Sequence, residues 1–114
     1  MSDTELTDRH CQHETSWLDN GAVQTLMTKI HADWLLSEDG RMIQRSFRFK
    51  NYYQTIAFVN ALACVAHQQD HHPDLEVGYK HCNVHYSTHS VGGLSENDFI
   101  CAARIDSLAA PEPV

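Results

Sequence analysis

A long predicted helix near the middle of the chain most limits how the rest of the chain can fold. Residues 51–69 carry apolar side chains at helical spacing, and Pro73 is expected to end the helix because the residue before a proline is pushed out of the α region. Its apolar side chains occupy two faces, with Tyr52, Ile56, Val59, Ala63 and Ala66 on one and Phe58, Leu62 and Val65 on the other. A helix that is apolar on two sides needs two packing partners, and in so small a protein one of them can be another subunit.

The patterns on either side of this helix predict an α+β domain. Asp39-Gly40 is a typical hairpin signal, and an S-x-x-D capping box at Ser95–Asp98 begins a final amphipathic helix. The predicted elements, in chain order, are a helix at 21–31, strands at 33–37 and 42–49, the helix at 51–69, strands at 76–80 and 82–88, and the helix after Ser95. The order α-β-β-α-β-β-α predicts a four-stranded antiparallel sheet with three helices on one face.

The length indicates a single domain, and the charge argues against one class of protein. A chain of 114 residues forms one domain, which we assign to residues 17–109, between a flexible N-terminal lead at 1–16 and a C-terminal tail at 110–114. The net charge of −7 argues against nucleic-acid binding, which needs a basic surface to neutralise phosphates.

The sequence also predicts the surroundings in which the protein works. No apolar run is long enough to span a membrane, and the N-terminus has no secretory signal, so we expect a cytoplasmic protein without a membrane partner. The four cysteines contain no C-x-x-C pair and suggest no disulfide framework. Cys64 and Cys101 lie in apolar runs and are predicted to be buried thiols.

The candidate chemistry lies among the nine histidines. His71 and His72 straddle the end of the long helix at the Pro73 bend, and His89 follows the polar face of the last predicted strand. A helix C-terminus favours a cation, and a carboxylate from Asp70 or Asp98 would raise a histidine pKa in the same direction. Several imidazoles around one cleft could donate one proton and accept another near neutral pH.

The spacing of this stretch resembles the signature of the pterin-4a-carbinolamine dehydratase family. The matching positions are His67, His71, His72, Pro73, Tyr79, His89 and Asp98. Phe47–Tyr52 is similar to the family's Phe-x-Phe-Lys segment before the long helix, and Trp34 precedes the first strand as in the family. Residues 88–94 and 97–100 resemble the bacterial branch associated with phenylalanine hydroxylase.

The resemblance implies a lyase, a 4a-hydroxytetrahydrobiopterin dehydratase. Such an enzyme removes water from 4a-hydroxytetrahydropterin to give quinonoid dihydropterin, with no metal and no organic cofactor. It further implies a tetrahydropterin carbinolamine substrate, a functional link to phenylalanine hydroxylase, and a homodimer or homotetramer.

The resemblance also implies a set of site residues. The family's catalytic histidines correspond to His71, His72 and His89, with Asp98 and His67 in supporting positions. We expect His71 and His89 to share the acid and base roles. His67 departs from the Glu that many members carry at that position, which leaves its role open. The substrate contacts carried over from the family are Asp70, His71, His72, Ser87, Thr88, His89 and Ser90.

Two other functions fit parts of the same pattern. His71, His72 and His89 could form a three-histidine metal site, although adjacent histidine side chains usually diverge. An interaction module that dimerises without turnover is the other alternative. The five other histidines, which the resemblance does not use, are interpreted as incidental: His10, His13, His31, His81 and His85.

Overall fold

The computed structural model describes residues 5–108, so the predicted tail at 110–114 and residues 1–4 of the predicted lead lie outside the described residues. Within 5–108 the elements follow the predicted order. They are α1 (Asn20–Met27), β1 (Leu35–Leu36), β2 (Ile43–Arg48), α2 (Tyr52–Gln69), β3 (Asp74–Val77), β4 (His81–Tyr86) and α3 (Glu96–Asp106). Short 3₁₀ turns lie at Leu6–Asp8 and His89–Val91. None of the described helices is long and apolar enough to cross a membrane.

The predicted α+β architecture is confirmed. The sheet has the order β1-β2-β4-β3, and each pair of neighbours is antiparallel. In β4 the side chains of Cys82, Val84 and Tyr86 are fully buried, while Asn83 and His85 on the opposite face are partly exposed. The buried face joins residues of all three helices in one hydrophobic core, so the helices cover one side of the sheet.

The first predicted helix and strand are shorter than expected. α1 ends at Met27 rather than at residue 31, because the amides of Thr28 and Lys29 bond to carbonyls three residues back and tighten the chain into a turn. The strand predicted at 33–37 is reduced to Leu35–Leu36, since the Trp34 amide donates to the His31 carbonyl at 3.1 Å in a second turn.

The third strand is displaced toward the N-terminus, from the predicted 76–80 to Asp74–Val77. Residues 78–80 form the turn into β4 instead, and the Gly78 amide donates to the His81 carbonyl at 2.8 Å. A Cβ atom at Gly78 would lie 2.1 Å from the His81 ring, so only glycine allows that ring to fold over the turn. Pro73 immediately precedes the strand.

The side of α2 that faces the core includes residues from both predicted apolar faces. Asn51 caps its first turn, accepting a hydrogen bond from the Gln54 amide at 2.8 Å. The side chains facing the core are Thr55, Phe58, Leu62, Ala66 and Gln69. From the predicted Tyr52 face, Ala66 is buried and Val59 packs against the core, whereas Tyr52 itself is 52% exposed, so only part of that face is available to a further partner.

Two predictions on α2 need correction. Cys64, predicted to be buried, is exposed because it lies away from the Phe58 face, whereas Cys101 on α3 is buried as predicted. The helix ends at Asp70, which adopts the left-handed conformation with φ 53°, rather than through the action of Pro73 three residues later.

The N-terminal segment lies against the domain from residue 5 onward, although it was expected to be flexible. Leu6 is buried in the hydrophobic core. We call residues 9–13 the strap, because hydrogen bonds join their backbone to side chains of α2 and α3. The Arg104 side chain donates to the Arg9 carbonyl, and the Arg9 guanidinium pairs with Glu96.

Two buried amide side chains hold the strap by its backbone. The Cys11 amide donates to Gln69 Oε1 at 2.7 Å. Asn97 accepts from the Gln12 amide at 3.0 Å and donates to the Gln12 carbonyl at 2.9 Å. These bonds satisfy polar groups that would be costly to bury alone, which explains why Gln69 and Asn97 are buried.

Candidate active site

His71 occupies the centre of the candidate site because the chain turns sharply at the end of α2. The left-handed conformation of Asp70 reverses the backbone, and the His71 amide then donates to the Ala66 carbonyl at 3.1 Å. The His71 ring stacks on the Tyr86 ring at 5.2 Å between centroids, and the Tyr86 hydroxyl donates to the His71 carbonyl. His71 is thereby fixed by its backbone and by its ring.

A fully buried carboxylate is the partner of this imidazole. Asp98 Oδ1 lies 2.6 Å from His71 Nε2. Its second oxygen, Oδ2, accepts from the Thr88 hydroxyl at 2.7 Å and from the Ser95 amide at 2.9 Å. The predicted capping box at Ser95 is confirmed, and it fixes the same carboxylate that meets His71.

Burial and charge act against each other on His71. Removal from water lowers the pKa of His71, but the hydrogen bond that its ring donates to Asp98 and the negative charge of that carboxylate outweigh this effect. The pKa of His71 is therefore raised above its ordinary value of 6.5. Because Nε2 faces Asp98, Nδ1 is the ring nitrogen available to a bound molecule.

A polar cleft of about 350 Å³ opens beside this pair. The size falls within the range of small-molecule sites. Its wall combines the strap, the end of α2, the turn after β4 and the first turn of α3. The lining residues are Cys11, Gln12, His13, Thr15, Gln68, Gln69, Asp70, His71, Thr88, Ser90 and Asn97.

The structure brings together some of the residues predicted from the sequence and separates others. Asp70, His71, Thr88 and Ser90 line the cleft, and Asp98 reaches it through His71. The predicted residues that are not among those lining the cleft are His67, His72 and His89, which are exposed, and Ser87, which is half-buried.

Seven cleft residues were not identified from the sequence: Cys11, Gln12, His13, Thr15, Gln68, Gln69 and Asn97. Gln69 carried a detectable signal, because it continues the stripe of Leu62 and Ala66 as a polar residue at a position where a core side chain is expected. The strap residues carried none, since their contacts are to residues far along the chain.

The described residues contain no cluster suited to a metal ion. Among residues 5–108, no group of three histidine, cysteine, aspartate or glutamate side chains is arranged to hold one. The alternative of a three-histidine metal site therefore gains no geometric support.

Comparison with known proteins places this architecture in a family. The sequence model for pterin 4 alpha carbinolamine dehydratase matches residues 16–108. The chain belongs to this dehydratase family. A relative from Legionella pneumophila (strain Lens) is 46% identical over 108 residues, covering 92% of this chain and 96% of the relative. One from Nitrosomonas eutropha is 50% identical over 107 residues, covering 91% and 93%. Both are provisionally named pterin-4-alpha-carbinolamine dehydratases.

Two solved structures that share the fold carry different descriptions. A Brucella melitensis protein described as a transcriptional coactivator/pterin dehydratase has a TM-score of 0.77 and 27% identity, covering 82% of this chain and 98% of that one. A pterin dehydratase-like protein described as a RuBisCO assembly factor has a TM-score of 0.61 and 30% identity, covering 72% and 95%. One fold thus carries several roles, and the activity must be argued from the site.

Proposed function

We propose that this protein is a 4a-hydroxytetrahydrobiopterin dehydratase, a hydro-lyase that works without a metal or organic cofactor in tetrahydropterin recycling. The observation that carries the proposal is the His71–Asp98 pair at the edge of the cleft, at positions that match the family signature. Family membership supports the same reaction.

The reaction removes a hydroxyl group from C4a and a proton from a ring nitrogen. His71 is suited to act as the acid, because Asp98 favours its protonated form and leaves Nδ1–H free to donate. Its proton joins the departing hydroxyl as water. As the C4a–O bond breaks, the electrons of the ring N–H bond form the new C=N bond, and a base takes the proton.

His89 is the proposed base, and His72 is proposed to orient the pterin. Both are exposed and can therefore exchange protons with water between turnovers. Exposure also leaves each ring free to move toward a substrate in the cleft. His67, also exposed on α2, is assigned a supporting role from its position in the family signature.

The proposed substrate contacts are supported either by their position in the cleft or by the family signature. Asp70, Thr88 and Ser90 line the cleft beside His71, where polar groups can meet the polar edge of a pterin ring. Ser87 is retained from the family signature, because it immediately precedes Thr88 at the end of β4.

We infer that the protein forms a homodimer or homotetramer. Tyr52 and Tyr53 at the start of α2 are 52% and 80% exposed, and the Tyr52 ring stacks on the exposed Tyr79 ring at 5.7 Å between centroids, so the three rings form an aromatic surface. Large exposed aromatic side chains are typical of surfaces that meet a partner. We further propose a cytoplasmic protein that serves a phenylalanine hydroxylase and, with its net charge of −7, binds no nucleic acid.

A direct assay of dehydration tests the proposed activity. Purified protein is added to freshly generated 4a-hydroxytetrahydropterin, and the appearance of quinonoid dihydropterin is followed by absorbance, before and after exhaustive chelation. We expect accelerated dehydration that survives chelation. Activity that is lost on chelation and restored by metal would support the metal-site alternative, and absence of turnover in folded protein would support an interaction role.

A further inference from the structure

Two cysteine thiols face each other where the strap crosses α3. Cys11 Sγ lies 3.5 Å from Cys101 Sγ, and neither thiol has a part in the proposed dehydration. We propose that Cys11 and Cys101 are an oxidation site, at which a peroxide forms a reversible disulfide that attaches the strap covalently to α3. This assignment rests on the positions of the two sulfur atoms and does not depend on the dehydratase activity.

The geometry requires only a small movement. A disulfide bond is about 2.05 Å long, so the sulfur atoms must approach each other by roughly 1.5 Å. Cys101 is buried in α3 and is held by the helix, while Cys11 lies in the strap, which has no regular secondary structure. The Gln69 side chain holds the Cys11 amide, so we expect the approach to come from rotation of the Cys11 side chain.

The two thiols also form a chemically activated pair. The hydrogen bond from Cys11, with help from Tyr86 and from the charge of His71, lowers the pKa of Cys101 despite its burial. The same hydrogen bond and burial raise the pKa of Cys11. Loss of one proton therefore leaves a thiolate that the remaining S–H stabilises, and a thiolate is the form that reacts with peroxides.

The oxidation consumes one peroxide for each disulfide. The thiolate of the pair attacks a peroxide oxygen, so that an S–O bond forms and the O–O bond breaks, and the departing oxygen takes up the proton lost from the pair and leaves as water or alcohol. The second sulfur then attacks the resulting sulfenic acid, forming the S–S bond and releasing a water. Two thiols lose two electrons in total, and the peroxide accepts them.

The position of the two thiols decides how a peroxide reaches them and which part of the cleft a disulfide would hold. Cys11 lines the cleft and is partly exposed, whereas Cys101 is fully buried, so a small peroxide would meet the pair from the Cys11 side. Among the four cysteines, all of which lie within the described residues, only Cys11 and Cys101 make a sulfur–sulfur contact. A bond between them would fix Gln12 and His13, the neighbouring wall of the cleft, to the α3 helix.

Thiol counting tests the proposal directly. The reduced full chain is treated with hydrogen peroxide, quenched, denatured, alkylated, and measured by intact mass and peptide mapping. We expect the alkylatable thiols to fall from four to two, with a linked peptide pair containing Cys11 and Cys101 and full recovery on reduction. The oxidised protein should also unfold at a temperature higher by at least about 5 °C, because the bond closes a long loop.

Matched variants separate this site from general thiol oxidation. Cys64→Ser removes the exposed cysteine and should leave the linked pair unchanged, whereas Cys11→Ser should abolish it. Cys11→Ser changes a strap residue outside the regular elements, so it does not depend on a core substitution. The proposal is overturned if wild-type protein keeps the Cys11 and Cys101 thiols free while Cys64 oxidises, or if the products are only links between two chains.

Discussion

Asp98→Asn is the substitution that most sharply probes the candidate site. The change keeps the size of the side chain but removes the charge that holds His71, whose side chain is 13% exposed beside a carboxylate that is fully buried. Without that charge, burial is the largest influence left on the imidazole. The pKa of His71 should then fall from above 6.5 to below it.

The size of the effect follows from burial and from hydrogen bonding. Breaking a buried ion pair costs about 3–5 kcal/mol while the remaining charge persists. At pH 6, where His71 is protonated in the wild type, we expect a loss of unfolding free energy in this range. Above the raised pKa of His71 the pair is no longer ionic, and the loss should shrink to about 1–3 kcal/mol from the disturbed bonds of Thr88 and Ser95.

The sign of the wild-type pH dependence follows from the same shift. A histidine whose pKa is raised on folding contributes stability that is fully present below pH 6.5 and is lost as pH rises through the folded pKa. Urea unfolding of the wild type and the variant between pH 5.5 and 9 measures both effects. Asp74→Asn, an exposed carboxylate on β3, is the matched control and should change little at any pH.

The pH dependence of the dehydration rate should reflect the same His71–Asp98 pair. If protonated His71 is the acid, the wild-type rate falls as pH rises through the raised pKa, and in Asp98→Asn this fall moves below pH 6.5. The reasoning is refuted if the variant folds and loses activity over the same pH range as the wild type, because Asp98 would then not set the protonation of His71.

Three further substitutions test separate parts of the account. His89→Ala should lower the dehydration rate by about 10²–10⁴-fold with unchanged unfolding, measured by absorbance and urea titration, and an unaltered rate would remove His89 from the mechanism. Leu62→Ala, at a position 1% exposed, should cost about 2–5 kcal/mol in urea unfolding, and a loss below 1 kcal/mol would contradict its place in the core. Asn97→Ala removes two bonds to the Gln12 backbone and should speed amide exchange in the strap, whereas exchange as slow as in the wild type would show that other contacts hold it.

Local periodicity was sufficient to predict much of the fold. The alternation in β4 correctly predicted Cys82, Val84 and Tyr86 as the buried face, and the helical spacing placed α2 within a residue of its bounds. Both patterns arise because one face of the element is buried and the other is exposed, so apolar and polar residues recur with the period of the element. The short β1 was overestimated because the turn before Leu35 depends on a backbone hydrogen bond that no pattern encodes.

The contacts of the candidate site were harder to predict, because they join residues that are far apart in the sequence and local periodicity does not reveal them. Asp98 had two interpretations, as a capping residue and as a histidine partner, and the packing of α3 against α2 allows both contacts at once. The strap escaped prediction because its polar residues show no periodicity, and its partners Gln69 and Asn97 lie 58 and 85 residues away. A polar sequence can be ordered when buried side chains accept its backbone hydrogen bonds.

The central claim is that His71 provides acid catalysis for dehydration, and the kcat/KM of His71→Ala tests it most directly. His81→Ala is the matched control, since His81 is the first residue of β4, its ring lies over Gly78, and it is not among the residues lining the cleft. The account predicts that His71→Ala lowers kcat/KM by about 10²–10⁴-fold while His81→Ala stays near the wild-type value. A folded His71→Ala variant with wild-type kcat/KM would contradict the account.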